Sequence, residues 1–91
     1  MRQRGKIDQN HSDIRDFVRK HGVKWCDTSN IGNGFPDALL CWDDKLVLVE
    51  VKATRGALTP KQVTFHQDWP VQVIRTREDA ARVVQKLKER Q

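Results

Sequence analysis

Two apolar segments on either side of a polar turn constrain the fold of this chain more than any other feature. The segments are residues 38–42 and 46–53, and Asp43 and Asp44 lie between them. This pattern predicts an antiparallel β-hairpin. Asp37 precedes the first strand, and pairing would bring it beside the end of the second, which carries Glu50 and Lys52. The hairpin is therefore expected to gather three charged side chains at one end of an apolar ribbon.

Alternation along the second strand places Glu50 and Lys52 on one face, together with Leu46 and Leu48, and the three valines 47, 49 and 51 on the other. A carboxylate in an apolar sheet is costly unless it is paired or binds a metal. Two carboxylates from neighbouring strands suit a hard cation such as Mg²⁺, and a nearby lysine could stabilise charge on an attacked phosphate. The alternative is a strand-end ion pair between Glu50 and Lys52, with Asp37 as a turn cap.

The charge balance favours a polyanionic partner. Lys and Arg number 17 against 12 Asp and Glu, so the 91-residue chain has a net charge of +5. Such a balance is typical of nucleic-acid-binding domains, although a merely solubilising surface is the alternative. A chain of this length has room for one domain with one modest core.

The cysteines and histidines do not form a zinc signature, because Cys26 and Cys41 are far apart and the histidines are scattered. Both cysteines fall in predicted strands, where we expect small, reduced, buried side chains; a disulfide between the strands is the alternative. The N-terminus has no apolar signal region and no run could span a membrane. These features predict a soluble, intracellular protein without a membrane partner.

The elements are predicted in the order α-β-β-β-α-β-α, an α/β domain with a mixed sheet flanked by helices. Residues 1–9 are expected to form a basic N-terminal arm, and residues 10–91 the single domain. The first helix is predicted from Asn10 or Ser12 to Gly22. Thr59, Pro60 and Gln62 form a capping box that opens the second helix. The strand at 71–74 is expected to lie parallel to an earlier one, and Thr76 to cap the last helix.

One stripe of the second helix mixes polar and aromatic groups. Gln62, Phe65, His66 and Trp69 recur at helical spacing. A purely structural stripe is more often aliphatic. For Phe65, Trp69, Trp25 and Trp42 we expect core packing, with a dimer surface as the alternative.

Three motifs together resemble the PD-(D/E)xK nuclease superfamily, and within it the virus-type replication-repair nuclease branch of bacteriophages and eukaryotic repair nucleases. They are Gly34-Phe35-Pro36-Asp37, Glu50-Val51-Lys52 and the segment 56–62, followed by the terminal strand and helix. The resemblance extends from about Lys6 to Val84. It implies a restriction-endonuclease-like core and an endonuclease that needs Mg²⁺ or Mn²⁺.

The resemblance also implies roles for individual residues. Asp37 and Glu50 would bind the metal with the backbone carbonyl of Val51, Lys52 would be the catalytic lysine, and Gln62 would face the site. Family members often carry a glutamate at the start of the first helix, a position where this chain offers Asp8 or Asn10. For contacts with DNA, we expect Gly34, Arg55 and Lys61.

The predicted function is therefore metal-dependent hydrolysis of phosphodiester bonds in DNA. No sequence-reading module is visible, which favours selection of DNA by its structure. Resemblance to phage members implies homodimers that cut branched DNA such as Holliday junctions in DNA repair, in a bacterial or phage-infected cytoplasm. The alternatives are a non-catalytic DNA-binding or assembly subunit with the same fold, and a nuclease of restriction-like specificity.

Overall fold

The computed structural model describes residues 3–89, with side chains from Asn10 onward. It contains three helices and four strands in the predicted order, so the α/β class and the mixed sheet are confirmed. The elements are α1 Gln3–Lys20, β1 Lys24–Asp27, β2 Ala38–Trp42, β3 Lys45–Val51, α2 Pro60–Asp68, β4 Val71–Ile74 and α3 Arg77–Lys88. Within residues 3–89, no helix is both long and apolar enough to cross a membrane.

The sheet has the strand order β1-β2-β3-β4. The first three strands pair antiparallel, and β4 lies parallel to β3, as the β-α-β prediction required. In the hairpin, Ala38 pairs with Val49. Continuing this register by one residue sets Asp37 opposite Glu50, so the predicted convergence of these two positions follows from the strand pairing.

One face of the sheet is covered by α1 and α3, which also pack on each other. The amphipathic stripes of the two helices supply the side chains that meet the sheet there, because residues three and four apart lie on one helix face. The resulting core consists of Ile14, Val18, Val23, Trp25, Ala38, Leu40, Val49, Ile74, Ala80, Val84 and Leu87.

The opposite face of the sheet is only partly covered. Leu46 is 64% exposed there, and Leu48 is half-buried. Helix α2 reaches this face at the end of β3, where Gln62 contacts Glu50, yet none of the side chains of α2 is fully buried. The site carried by Glu50 therefore lies at the less protected face of the domain.

Helix α1 begins earlier than predicted, at Gln3 rather than at Asn10 or Ser12. Residues 3–9 of the predicted arm are thus helical, and residues 1 and 2 lie outside the described residues. The prediction relied on Asn10 and Ser12 as caps, but the preceding segment is rich in good helix formers, and its single glycine, Gly5, costs a helix only about 1 kcal/mol.

Two predictions of burial were wrong. Cys26 is exposed, because it lies on the edge strand β1 and its neighbour Trp25 takes the core-facing position. Trp69 is 55% exposed, because it follows the last turn of α2, which does not enter the core. Cys41 is half-buried and both cysteines are free, so the two do not form the alternative disulfide.

Candidate active site

Asp37 is fixed just before β2 by contacts with the last residue of β3 and with the residue after β1. The backbone N–H of Val51 donates to Asp37 Oδ2 over 2.8 Å. On the other side, the N–H of Thr28 donates to the Asp37 carbonyl oxygen over 2.8 Å, and the Thr28 hydroxyl donates to the carbonyl of the buried Pro36. The Asp37 carboxylate is therefore held against the end of β3, beside Glu50.

Glu50 is the only charged side chain among the buried residues that the structure describes, with 2% of its surface exposed. Its Oε2 accepts a hydrogen bond from Gln62 Nε2 over 3.1 Å. Its Oε1 is buried, and no donor within the described part of the chain reaches it. A buried carboxylate oxygen without a donor is costly, so the ionised form of this group is arranged for something other than stability alone.

Burial raises the pKa of Glu50 to about 8. The negative charge of Asp37 and a side-chain hydrogen bond between the two carboxyl groups add to this rise, whereas the positive charge of Lys52 opposes it. Two neighbouring carboxylates disfavour each other's ionised form. A cation between them would reverse that effect. Near neutral pH the cation-free Glu50 therefore retains its proton for most of the time.

Lys52 follows Glu50 by two residues and is half-buried. Its backbone N–H donates to the Ile74 carbonyl over 3.0 Å, which fixes the chain just beyond β3. Its positive charge opposes the rise in the pKa of Glu50 and contributes to the lowered pKa of His66. Asn10 Nδ2 lies 3.5 Å from the Lys52 carbonyl oxygen, which brings the first helix to the site through Asn10.

Gln62 connects the start of α2 to the carboxylates. Its Oε1 accepts from the Thr59 N–H over 2.9 Å, and its own N–H donates to the Thr59 hydroxyl over 3.2 Å, which completes the predicted capping box. Its Nε2 remains free to donate to Glu50. An amide can serve both partners because it carries a separate acceptor and donor.

Gly34 allows the loop before β2 to approach α2 closely. Its φ is +84°, and a Cβ atom added there would lie 2.4 Å from the carbonyl oxygen of Lys61. The contact that the structure gives Gly34 is thus packing against the first turn of α2. Lys61 and Arg55, the two other residues expected to contact DNA, are both exposed.

The loop that carries Arg55 is held by a residue that the sequence analysis missed. The Arg75 guanidinium donates to the carbonyl oxygens of Ala53, Thr54 and Gly56. Arg75 lies just after β4, which is parallel to β3, so it reaches the loop that leaves β3. No local pattern indicates this contact, because the partners are backbone atoms about twenty residues away.

His66 was also missed as a site residue. It lies one helical turn after Gln62, and its Nε2 is buried with no hydrogen-bond partner among the residues described. Burial and then the charge of Lys52 lower its pKa, so the ring is held in its neutral form. The mixed stripe of α2 contained the signal, since Gln62 and His66 share one helix face.

The carboxylates fit a hard divalent cation. Among the described side chains, those of residues 10–89, no group of three or more acidic, histidine or cysteine residues comes together. The Asp8 side chain, however, lies outside the described residues. Mg²⁺ typically needs only one or two carboxylates and keeps several waters. Asp37, the unpartnered Oε1 of Glu50 and the Val51 carbonyl would hold it.

The chain was also compared with known proteins. Neither the family models nor the curated proteins nor the solved structures contained a match to it.

Proposed function

We propose that this chain is a metal-dependent endonuclease that hydrolyses phosphodiester bonds in DNA. One observation carries the proposal: Glu50 is 2% exposed and keeps a buried carboxylate oxygen to which no described residue donates, opposite Asp37 and two residues before Lys52. A simple ion pair between Glu50 and Lys52 would not need Asp37 to add a second negative charge. The arrangement fits a site that would bind a cation next to a phosphate group of the substrate.

The fold and the charge of the chain support the same proposal. An antiparallel hairpin that carries two acids and a lysine at one end, followed by a helix and a parallel strand, is what a restriction-endonuclease-like core requires. The net charge of +5 suits a polyanionic substrate. Exposed Arg55 and Lys61 lie in the stretch of chain between Lys52 and Gln62.

Each side chain has a separate task in this mechanism. Asp37 and Glu50 would hold Mg²⁺ or Mn²⁺, and Gln62 fixes the orientation of the Glu50 carboxyl group through Oε2. At these carboxylates a divalent cation would supply Lewis-acid polarisation of a phosphoryl oxygen and would lower the pKa of a water. Lys52 stabilises the negative charge that develops on the attacked phosphate and helps to orient the water.

Selection of DNA by structure, and action as a homodimer, belong to the same proposal. A dimer would present two sites to two symmetric strands, as cleavage of a four-way junction requires. The partly covered face of the sheet leaves apolar surface, such as Leu46, available to a second copy. The corresponding place of action is the cytoplasm of a bacterium or an infected host, in DNA repair.

The test is a cleavage assay on labelled four-way junction, flap, nicked, single-stranded and linear duplex DNA. We expect cutting with Mg²⁺ or Mn²⁺, none with chelator, and the fastest cutting on a branched substrate. Lys52→Ala should lower the rate by at least about a hundredfold, because it removes a charge that stabilises the transition state. The matched control is Lys24→Ala, which removes an exposed lysine at the far end of the sheet and should leave the rate unchanged.

The two alternatives predict different results. A non-catalytic DNA-binding subunit would bind the same substrates and cut none of them. A nuclease of restriction-like specificity would cut linear duplex DNA at defined sequences and show no preference for branches. Cutting that survives Lys52→Ala would contradict the role proposed for the site.

A further inference from the structure

A cleft of about 440 Å³ runs along α2 beside the loop that contains Gly34. Its lining includes Asn33 from the loop and, from α2 and the residue after it, Lys61, Thr64, Phe65, Asp68 and Trp69. Gln62 belongs to the same helix and contacts Glu50 from the neighbouring helix face. The cleft is therefore separate from the carboxylates but adjoins the proposed active site.

Three aromatic rings form a continuous series at this cleft. Phe35 meets Phe65 edge-on, with ring centroids 5.2 Å apart, and Phe65 stacks with Trp69 at 6.0 Å and an interplanar angle of 22°. Trp69 ends the series and is 55% exposed. Because α2 contributes no fully buried side chain, Phe65 is not part of the core, and the exposed Trp69 leaves ring surface open to the outside.

The charges along the cleft differ between its two ends. Lys61, Phe65 and Trp69 follow one another four residues apart, so they form one row with about 6 Å of rise between successive members. Lys61 places a cation at one end, whereas Asp68 places a carboxylate near Trp69. A phosphate is thus favoured near Lys61 and disfavoured near Trp69, where an uncharged aromatic group fits better.

We propose that this aromatic cleft binds an unpaired nucleotide of a nucleic-acid strand, with its base stacked on Trp69 and its phosphate near Lys61. Aromatic rings stack on bases of any sequence, but a base inside a duplex does not offer its face to them. The inference rests on the proposed nuclease function and deepens it. An unpaired nucleotide held on α2 would place the adjoining duplex strand at Glu50 and Lys52, which selects DNA at the border between paired and unpaired segments.

The test measures binding rather than cleavage. The full chain in chelator is titrated into a fluorescent oligothymidylate and, separately, into a labelled duplex of equal length. Trp69→Ala should weaken binding to the oligothymidylate by about 5- to 100-fold, because a stacked base is lost, and binding to the duplex by less than about twofold. Trp69→Phe should retain most of the affinity. The matched control, Val63→Ala, alters an exposed apolar side chain of α2 that does not line the cleft, and should change neither value.

A second variant keeps the inference testable if Trp69→Ala perturbs the fold. Lys61→Ala changes only an exposed side chain. It should remove about one phosphate contact with the oligothymidylate. The slope of the logarithm of the binding constant against the logarithm of salt concentration should then become shallower by about 0.7. An unchanged slope would overturn the position proposed for the phosphate.

The remaining outcomes separate this inference from the proposed function. If the natural chain binds neither probe, the nuclease proposal itself is contradicted. If it binds both probes and Trp69→Ala weakens binding to the two equally or not at all, only the inference about the aromatic cleft is contradicted. The mass in solution is measured by light scattering for each variant. Conversion of a dimer to a monomer by Trp69→Ala, with an unchanged preference for single strands, would show that a second copy occupies the cleft and would overturn the inference.

Discussion

At the scale of single residues, the surroundings of Glu50 oppose the ionisation of its carboxyl group. Its carboxyl group is buried beside Asp37, and only Gln62 donates a hydrogen bond to it among the described side chains. Its pKa of about 8 compares with an ordinary value of 4.5. The fold therefore favours the protonated form of Glu50, whereas the proposed cation site would need the ionised form.

The raised pKa of Glu50 in the folded chain predicts how the free energy of unfolding depends on pH. Below about pH 4.5 the folded and unfolded chains both hold the Glu50 proton, whereas between about 4.5 and 8 only the folded chain does. The free energy of unfolding should therefore fall as the pH rises through this window and level off above it. The loss attributable to Glu50 is on the order of 5 kcal/mol. Urea unfolding in chelator at several pH values measures it.

The comparison that isolates Glu50 is between the natural chain and Glu50→Gln, which cannot ionise. His66, with its lowered pKa, acts in the opposite direction below about pH 6.5, but it does so in both proteins. Glu50→Gln should flatten the fall and be the more stable protein near pH 8. Asp44→Asn, at an exposed turn position, should follow the natural chain. Parallel curves for the natural chain and Glu50→Gln would contradict the raised pKa.

At the scale of secondary-structure elements, α2 is positioned with little help from the core. None of its side chains is fully buried, so its capping box, its contact with Glu50 and the close approach of Gly34 hold its first turn in place. The same turn presents Gln62 to the site and Lys61 to the aromatic cleft. Small shifts of α2 should therefore affect both.

Two glycines of the same loop test this positioning. Gly32 and Gly34 both have positive φ, +81° and +84°, but only Gly34 approaches the backbone of Lys61. Gly32→Ala should cost about 1 kcal/mol, the penalty of the left-handed conformation alone. Gly34→Ala should cost roughly 2 kcal/mol more, because its Cβ would overlap backbone atoms that cannot move without α2. Urea unfolding of both variants gives the difference.

Gly32→Ala is the control for backbone conformation, because a Cβ atom added at Gly32 has nothing within 4 Å. Equal losses of stability in the two variants would mean that the loop containing Gly34 does not pack closely against α2. If Gly34→Ala also moves the helix, the contact between Gln62 and Glu50 should weaken, and cleavage should slow in this variant but not in Gly32→Ala.

At the scale of the whole molecule, the domain is asymmetric. One face of the sheet carries α1, α3 and the core, and the other carries the site and is only partly covered. A cation bound there would act on the stability of the whole domain, because the two carboxylates converge only in the folded chain.

Metal binding should therefore raise the melting temperature, and more so at higher pH. Each kcal/mol gained corresponds to about 4–8 °C for a domain of this size, and a concentration of Mn²⁺ ten times its dissociation constant supplies roughly 1.4 kcal/mol. The gain should increase from pH 6 to 8, because binding displaces the Glu50 proton, whose pKa is about 8. Thermal unfolding with Mn²⁺, Mg²⁺ and chelator measures it.

Glu50→Gln and Asp37→Asn should each abolish this shift, and Asp44→Asn should retain it. An unchanged melting temperature of the natural chain at pH 8, over a wide range of Mn²⁺ concentration, would contradict the cation site. This outcome does not depend on any nuclease assay.

Local patterns in the sequence predicted several elements correctly. The turn at Asp43 and Asp44 predicted the hairpin, and Thr59, Pro60 and Gln62 predicted the capping box. Such features depend on residues within one turn or one strand pair. The start of α1 was wrong because caps such as Asn10 compete with the helix propensity of the segment before them.

What the sequence determined by itself is the order of elements and the register that sets Asp37 opposite Glu50, since both follow from local propensity and alternation. Only the tertiary structure decided the burial of Glu50, the approach of Gly34 to Lys61 and the exposure of Trp69. These depend on how α2, the loop and the sheet pack together. The chemistry of a carboxylate is set by that packing, because burial and neighbouring charge determine whether it holds a proton or a cation.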